Sequence, residues 1–133
     1  MQIVNKKPFS LEVFADDFEE IEKQARKISQ WGENVYVKIP ISNSKGKKSI
    51  SLIKKLSNEG VKLNITAIFT IKQIEETIDA LNKNVNSIIS NVTTDLAEIA
   101  SRDRFYNVIK SGSSSKKLII HLITFPISSS SVL

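Results

Sequence analysis

Three polar residues recur at 26-residue intervals in this chain: Glu12, Lys38 and Asn64. A fourth, Thr66, lies two positions beyond Asn64. Lys38 sits in Asn34–Pro40, Asn-Val-Tyr-Val-Lys-Ile-Pro. In a strand, Val35, Val37 and Ile39 point one way and Tyr36 and Lys38 the other. An amine held among apolar neighbours loses solvation, which depresses its pKa. A neutral amine can attack a carbonyl and form a Schiff base, whose iminium is an electron sink for carbon–carbon cleavage. Such a reaction needs a proton carrier, and Glu12 could act as acid or base, directly or through a water. Thr66 could orient that water, and Asn64 could donate to a substrate hydroxyl or a carbinolamine oxygen. Each residue also has an ordinary use. Lys38 could be a solvated lysine on an amphipathic strand, Glu12 its salt-bridge partner, and Asn64 and Thr66 satisfied polar residues inside a barrel.

The elements that must hold these residues are legible as alternation and helical spacing. Phe9–Phe14 reads as a strand, with Phe9, Leu11 and Val13 opposite Ser10, Glu12 and Phe14. Asp16 offers an N-cap with Glu19 three residues on, and Phe18, Ile21, Ala25 and Ile28 follow at helical spacing before Gly32. The Lys38 strand ends at Pro40, and Ser42–Lys48 is a polar loop. Ile50, Ile53 and Leu56 form a second helical stripe, stopped by Gly60. Val61–Phe69 is a third strand, with Leu63, Ile65 and Ala67 opposite Asn64, Thr66 and Ile68. Ile71, Ile74, Ile78 and Leu81 mark a third helix, and Val85–Ser90 a fourth strand. Strands alternating with helices of this length imply parallel strands joined by right-handed crossovers. Glu12, Lys38 and Asn64 occupy matching places in their strands, so in a parallel barrel they converge at the C-terminal face. The fold class expected is therefore α/β, built of parallel (β/α) units of a TIM-type (β/α)8 barrel.

Composition narrows the classes of function. The chain has 133 residues, 41% apolar and 25% charged, enough for one domain with a modest core. It contains no cysteine, which excludes disulfides, thiolate chemistry and cysteine-ligated zinc, and His121 is its only histidine. One imidazole without partners makes no metal site, so His121 reads as a bystander. No apolar run is long enough to span a bilayer, and the N-terminus lacks the apolar core of a signal peptide. No membrane partner and a cytoplasmic location are expected. The net charge of +5 invites a nucleic-acid reading. However, only Lys45–Lys48 and Lys116–Lys117 cluster, and no aromatic residues are interleaved to stack bases. A basic surface equally suits anionic sugar phosphates.

Three phrases carry a resemblance. Ser-Leu-Glu-Val at Ser10–Val13, Asn-Val-Tyr-Val-Lys-Ile-Pro at Asn34–Pro40, and Glu-Gly-Val-Lys-Leu-Asn-Ile-Thr-Ala-Ile-Phe-Thr at Glu59–Thr70 resemble the transaldolase family in residue type, spacing and order. The resemblance covers about Phe9 to Ser90. It implies a (β/α)8 barrel and class I aldol chemistry needing no metal or organic cofactor. Lys38 matches the Schiff-base lysine, Glu12 and Thr66 the pair that holds the catalytic water, and Asn64 the asparagine that contacts the intermediate. Ser90 falls where the family has a pocket-lining serine. The reaction implied is transfer of a dihydroxyacetone unit from a ketose phosphate, such as sedoheptulose 7-phosphate or fructose 6-phosphate, to an aldose phosphate acceptor. That step belongs to the non-oxidative pentose phosphate pathway. The related fructose 6-phosphate aldolases usually carry glutamine where this chain has Glu12, which favours the transferase branch.

The departures define a second expectation. The family begins with two further strands, the first bearing a catalytic aspartate, and neither Asp16 nor Asp17 at a helix start matches it. After the serine the family continues with a Phe-x-Gly-Arg-Ile type phrase whose arginine helps bind phosphate, whereas Asn91 opens a different segment. The domain division expected is a short extension over 1–8, a partial barrel over 9–90 and a divergent, serine-rich tail over 91–133. A closed barrel needs eight strands and typically about 250 residues, so about half a barrel is expected: a truncated frame, a split gene or a frameshifted copy. Such a half-barrel could be a non-catalytic module, or could pair with a second copy into a homo-oligomer that rebuilds the barrel. In the tail, Thr93–Ala100 suggests a short helix and Leu118–Phe125 an apolar, strand-like run suited to a dimer edge or aggregation. The Asn64-Ile65-Thr66 and Asn91-Val92-Thr93 sequons carry no meaning without a secretory signal.

Overall fold

The computed structural model describes residues 7–92 and 118–123. In chain order the elements are β1 (Phe9–Glu12), α1 (Phe18–Ser29), β2 (Val35–Pro40), α2 (Ile50–Asn58), β3 (Leu63–Ile68), α3 (Ile71–Ala80), β4 (Ser87–Val92) and β5 (Leu118–Ile123). The helix expected over Thr93–Ala100 lies outside the described residues.

The helices form for reasons readable in their ends and stripes. In α1, Ile21, Ala25 and Ile28 are buried at helical spacing. Its first turn carries Glu19 and Glu20 and its last Arg26 and Lys27, signs that complement the helix dipole. Its N-cap is Asp17, not the expected Asp16: the Asp17 carboxylate accepts from the Glu19 and Glu20 amides at 3.0 and 3.3 Å. Asp17 has the extended backbone an N-cap needs (φ −75°, ψ 134°), and Asp16 is drawn into the loop after β2. Helix α2 ends in a Schellman turn, where Gly60 takes φ +89° and the Gly60 and Val61 amides return to the Ser57 and Leu56 carbonyls. Helix α3 starts with a reciprocal capping box between Thr70 and Gln73.

All five strands are parallel and lie in the order β1-β2-β3-β4-β5. Sequential order, with the three described helices in one layer, is the arrangement of an arc of a (β/α) barrel rather than of a doubly wound sheet. The core lies between that layer and one face of the sheet. Val37, Ile39, Leu63, Ile65 and Ile89 from the strands meet Ile21, Ala25, Ile53, Leu56 and Ile74 from the helices, and all are essentially solvent-free. Burial of each such branched side chain stabilises by about 1.5–3 kcal/mol.

Two expected features shift. The alternation Leu63-Ile65-Ala67 breaks after Ile65, because a bulge interrupts the β3–β4 register between Ile65 and Ile68. Ala67 takes φ +58° and is exposed, and Ile68 instead enters the core. One extra residue in a period-2 pattern reverses which side chain faces inward. The fourth strand runs over Ser87–Val92 rather than Val85–Ser90. The apolar, strand-like run at Leu118–Phe125 contributes β5, which pairs with β4 from Ser87↔Leu118 to Val92↔Ile123 and extends the same parallel sheet as its edge among the described residues.

Candidate active site

The second face of the sheet carries Ser10 and Glu12 from β1, Tyr36 and Lys38 from β2, Asn64 and Thr66 from β3, and Ile88 and Ser90 from β4. Among the described residues no helix covers it. Strand register aligns its key members: Glu12 is paired with Lys38 and Lys38 with Asn64, a continuous row across three strands. The 26-residue spacing is the length of one (β/α) unit, so residues one unit apart stand side by side. Thr66 lies two residues further toward the C-terminal end, in register with Pro40.

Asn64 is the best-tied member. It is buried, at 6% exposure. Its Oδ1 accepts from Ser90 Oγ at 2.8 Å, and its Nδ2 donates to Ser10 Oγ at 3.1 Å. A buried amide satisfied at both ends has a fixed orientation. Ser90, expected as a pocket residue, is thus brought to Asn64. Lys38 is half-buried, and Glu12 is exposed at the end of the edge strand β1. The structural salt bridge weighed for Glu12 and Lys38 is not among the ion pairs of the described residues, which join Lys23–Glu20, Arg26–Glu22, Arg26–Glu59, Lys48–Glu76 and Lys55–Glu22. The two side chains are register neighbours without being locked together. Thr66 is partly buried, and its carbonyl accepts from the Ile41 amide at 3.0 Å, which ties the end of β3 to the exit of β2.

One layer toward the N-terminal end, Tyr36 closes the floor at 7% exposure. Burial pushes its phenol pKa up, partly offset by a hydrogen bond with Asn86. Lys62 Nζ stands 5.9 Å from its ring centroid. At the opposite, C-terminal end, the loop between β2 and α2 is built rather than loose. Asp16 accepts from the Ser44 amide and hydroxyl at 2.7 and 2.6 Å, and these bonds hold its carboxyl below the ordinary range. Asn43 Oδ1 accepts from the Lys45 and Lys47 amides. Of the loop lysines, Lys48 pairs with Glu76 and Lys47 stands over the Phe18 ring.

Ser10 had no role assigned from sequence, although its signal was present: it alternates with Leu11 and so shares the face of Glu12. His121 falls on β5 at the register of Ser90. Among the described residues, no group of three His, Cys, Asp or Glu side chains converges as a metal would require. No helix among them is long and apolar enough to cross a membrane.

Comparison with known proteins gives this face a context. The family model described as Transaldolase/Fructose-6-phosphate aldolase matches residues 1–123, a span that takes in β1 through β5. Similar curated proteins include a probable transaldolase of Dehalococcoides mccartyi, 44% identical over 64 residues, which are 48% of this chain and 28% of that protein. One of Methanococcus maripaludis is 44% identical over 66 residues, 50% of this chain and 29% of that protein. One of Streptococcus agalactiae is 39% identical over 66 residues, with the same coverage. The chain thus spans less than a third of the length of the curated relatives it matches.

Proposed function

Because this chain belongs to the transaldolase/fructose-6-phosphate aldolase family, we propose that it carries Schiff-base aldol chemistry on sugar phosphates, with Lys38 as the nucleophile. The observation that supports the reading best is the row Glu12–Lys38–Asn64 at one level of the sheet. In this reading the Lys38 amine adds to the C2 carbonyl of a ketose phosphate. The carbinolamine, its oxygen held by Asn64, loses water to give the iminium. The C3–C4 bond breaks with its electron pair moving toward the iminium nitrogen, while the C4 hydroxyl proton passes to Glu12 directly or through a water that Thr66 orients. The aldose phosphate leaves, and the enamine attacks the aldehyde of an acceptor, which takes the proton back. Hydrolysis then restores the amine. No metal or organic cofactor enters these steps.

The finer assignment is dihydroxyacetone transfer, the transaldolase reaction of the non-oxidative pentose phosphate pathway in the cytoplasm. The residue supporting transfer over simple aldol cleavage is Glu12, a carboxylate where the fructose 6-phosphate aldolases resembled here usually carry glutamine. A non-catalytic barrel segment is the competing reading, favoured by the exposure of Glu12 on an edge strand.

Borohydride trapping separates the two. The chain is incubated with fructose 6-phosphate and reductant, and the modified peptide is read by mass spectrometry. A reduced sugar adduct on Lys38, absent in Lys38→Ala, is the expected result. A folded chain by circular dichroism that forms no adduct would refute the aldol reading.

A further inference from the structure

Strand β2 lies between β1 and β3. Neighbouring strands stand about 4.8 Å apart, so β1 and β3 are roughly 10 Å apart at the backbone. Serine has the shortest polar side chain, yet Ser10 Oγ lies 3.1 Å from Asn64 Nδ2. On a flat sheet two side chains standing parallel on such distant strands would not meet. The contact therefore requires this face to be concave, with the β1 and β3 side chains tilted toward each other above β2. It crosses β2 between two levels, because Ser10 is in register with Tyr36 and Asn64 with Lys38. On the other side Ser90 Oγ meets Asn64 Oδ1 at 2.8 Å. One hydrogen-bonded rung, Ser10–Asn64–Ser90, thus runs diagonally across four strands, from one level below the lysine through Asn64 at its own level to Ser90 beyond it.

We propose that Ser10 is a positioning residue that fixes the plane of the Asn64 amide beside Lys38, an inference that rests on the Schiff-base reading above. A primary amide has two N–H donors and one carbonyl oxygen. Ser10 takes one N–H and Ser90 the oxygen, which leaves the second N–H for an oxygen carried on the Lys38 adduct. The terminal torsion of asparagine is broad and costs little to rotate. With Ser90 alone the amide is hinged at its oxygen; with Ser10 it is held at both ends. A donor displaced by about 1 Å can cost up to about a hundredfold in rate, so a hinged amide is a slower catalyst without being a missing one.

The test uses the full 133-residue chain with Ser10→Ala and Ser10→Thr, which removes and retains the hydroxyl on a strand-compatible residue. The rate of borohydride-trapped adduct on Lys38 is measured against fructose 6-phosphate concentration. Ser10→Ala is expected to lower the saturating rate about tenfold with the half-saturating concentration nearly unchanged, and Ser10→Thr to restore it. Wild-type rates in Ser10→Ala, or equal losses in both variants, overturn the proposal. The Asn64 side-chain amide, followed by nitrogen-15 NMR, supplies a readout that needs no substrate. Its two protons should be sharp and slow to exchange in the wild type and Ser10→Thr, and averaged in Ser10→Ala. Unchanged signals in Ser10→Ala overturn the rung itself. A wild-type chain that forms no adduct refutes the aldol reading, and the amide signals then decide the Ser10 contact separately.

Discussion

The two faces of this one sheet obey opposite rules. The face under the helices is a continuous apolar layer in which Val37, Ile39, Leu63, Ile65 and Ile89 lose essentially all contact with water. The other face, one residue out of phase along the same strands, holds Ser10, Glu12, Tyr36, Lys38, Asn64, Thr66 and Ser90, which range from buried (Tyr36, Asn64) to exposed (Glu12). A parallel strand roofed on one side by its crossover helix must spend every second residue on packing. The alternate positions are released from that duty. Here they collect a carboxylate, an amine, an amide, a phenol and three aliphatic hydroxyls. Packing residues and polar side chains are thus interleaved residue by residue, not divided between regions of sequence.

The sharpest way to break that comparison is to mutate adjacent residues on β2 and β3. Lys38→Ala should reduce adduct formation to background while moving the urea midpoint only slightly, since substitutions outside the core usually cost within about 0.5 kcal/mol. A folded Lys38→Ala chain that still forms the adduct would show that the nucleophile lies elsewhere. Ile65→Ala, one residue from Asn64 on the opposite face, should cost about 2–5 kcal/mol by denaturant unfolding, because it opens a cavity in a layer with no exposure. A stability loss under about 1 kcal/mol would mean that the helix-covered face is not the cohesive one.

A smaller effect separates two neighbouring carboxylates at the entrance to α1. Asp17 caps the helix, and its replacement by alanine should cost about 1 kcal/mol. Asp16 instead ties the β2–α2 loop at the C-terminal end of the sheet, through two bonds from Ser44 that lower its pKa. A carboxylate whose pKa is lower folded than unfolded stabilises above the unfolded value, and that stabilisation is lost as pH falls through the folded one. The Ser44 amide should therefore be protected from exchange at neutral pH and lose protection in the acid range below the ordinary aspartate pKa. Asp16→Asn should flatten that acid response while leaving the α1 amides protected. Loss of α1 protection in Asp16→Asn would reverse the two assignments.

What was legible in the sequence follows the same division. Helical stripes such as Ile21-Ala25-Ile28 and the alternation of β2 are local and repetitive, so periodicity reveals them. The equal spacing of Glu12, Lys38 and Asn64 revealed the row, because a repeat of chain length becomes neighbourhood in a parallel sheet. The choice between Asp16 and Asp17 was not legible: both are good caps, and a serine 28 residues away decides between them. Ser10 passed unmarked because serine has no chemistry of its own at that spacing, and its contact with Asn64 depends on how the fold brings β1 to β3. The fifth strand was legible as a strand-like apolar run but not as the partner of β4, because pairing partners are a property of the fold, not of the run. The bulge after Ile65 was hidden for the opposite reason: the pattern Leu-Asn-Ile-Thr-Ala-Ile continues to alternate in composition while the backbone does not.

That bulge is where the two faces exchange residues, and it offers the finest test of how closely they are coupled. Ala67 takes φ +58°, a left-handed conformation that costs a residue with a Cβ roughly 1–2 kcal/mol and glycine almost nothing. Ala67→Gly relieves that cost in the folded chain but adds freedom to the unfolded one, so a net gain of up to about 1 kcal/mol is expected by denaturant unfolding. Thr66 immediately precedes the turn, and its carbonyl holds the Ile41 amide. If the strained residue merely carries the strand from one phase to the other, Ala67→Gly will gain stability and form the Lys38 adduct at the wild-type rate. If alanine's stiffness holds Thr66 in place on the polar face, the glycine variant will be more stable and slower. No gain in stability at all would mean that the left-handed turn is not strained by its side chain, and the phase change would then be a property of the β3–β4 pairing rather than of residue 67.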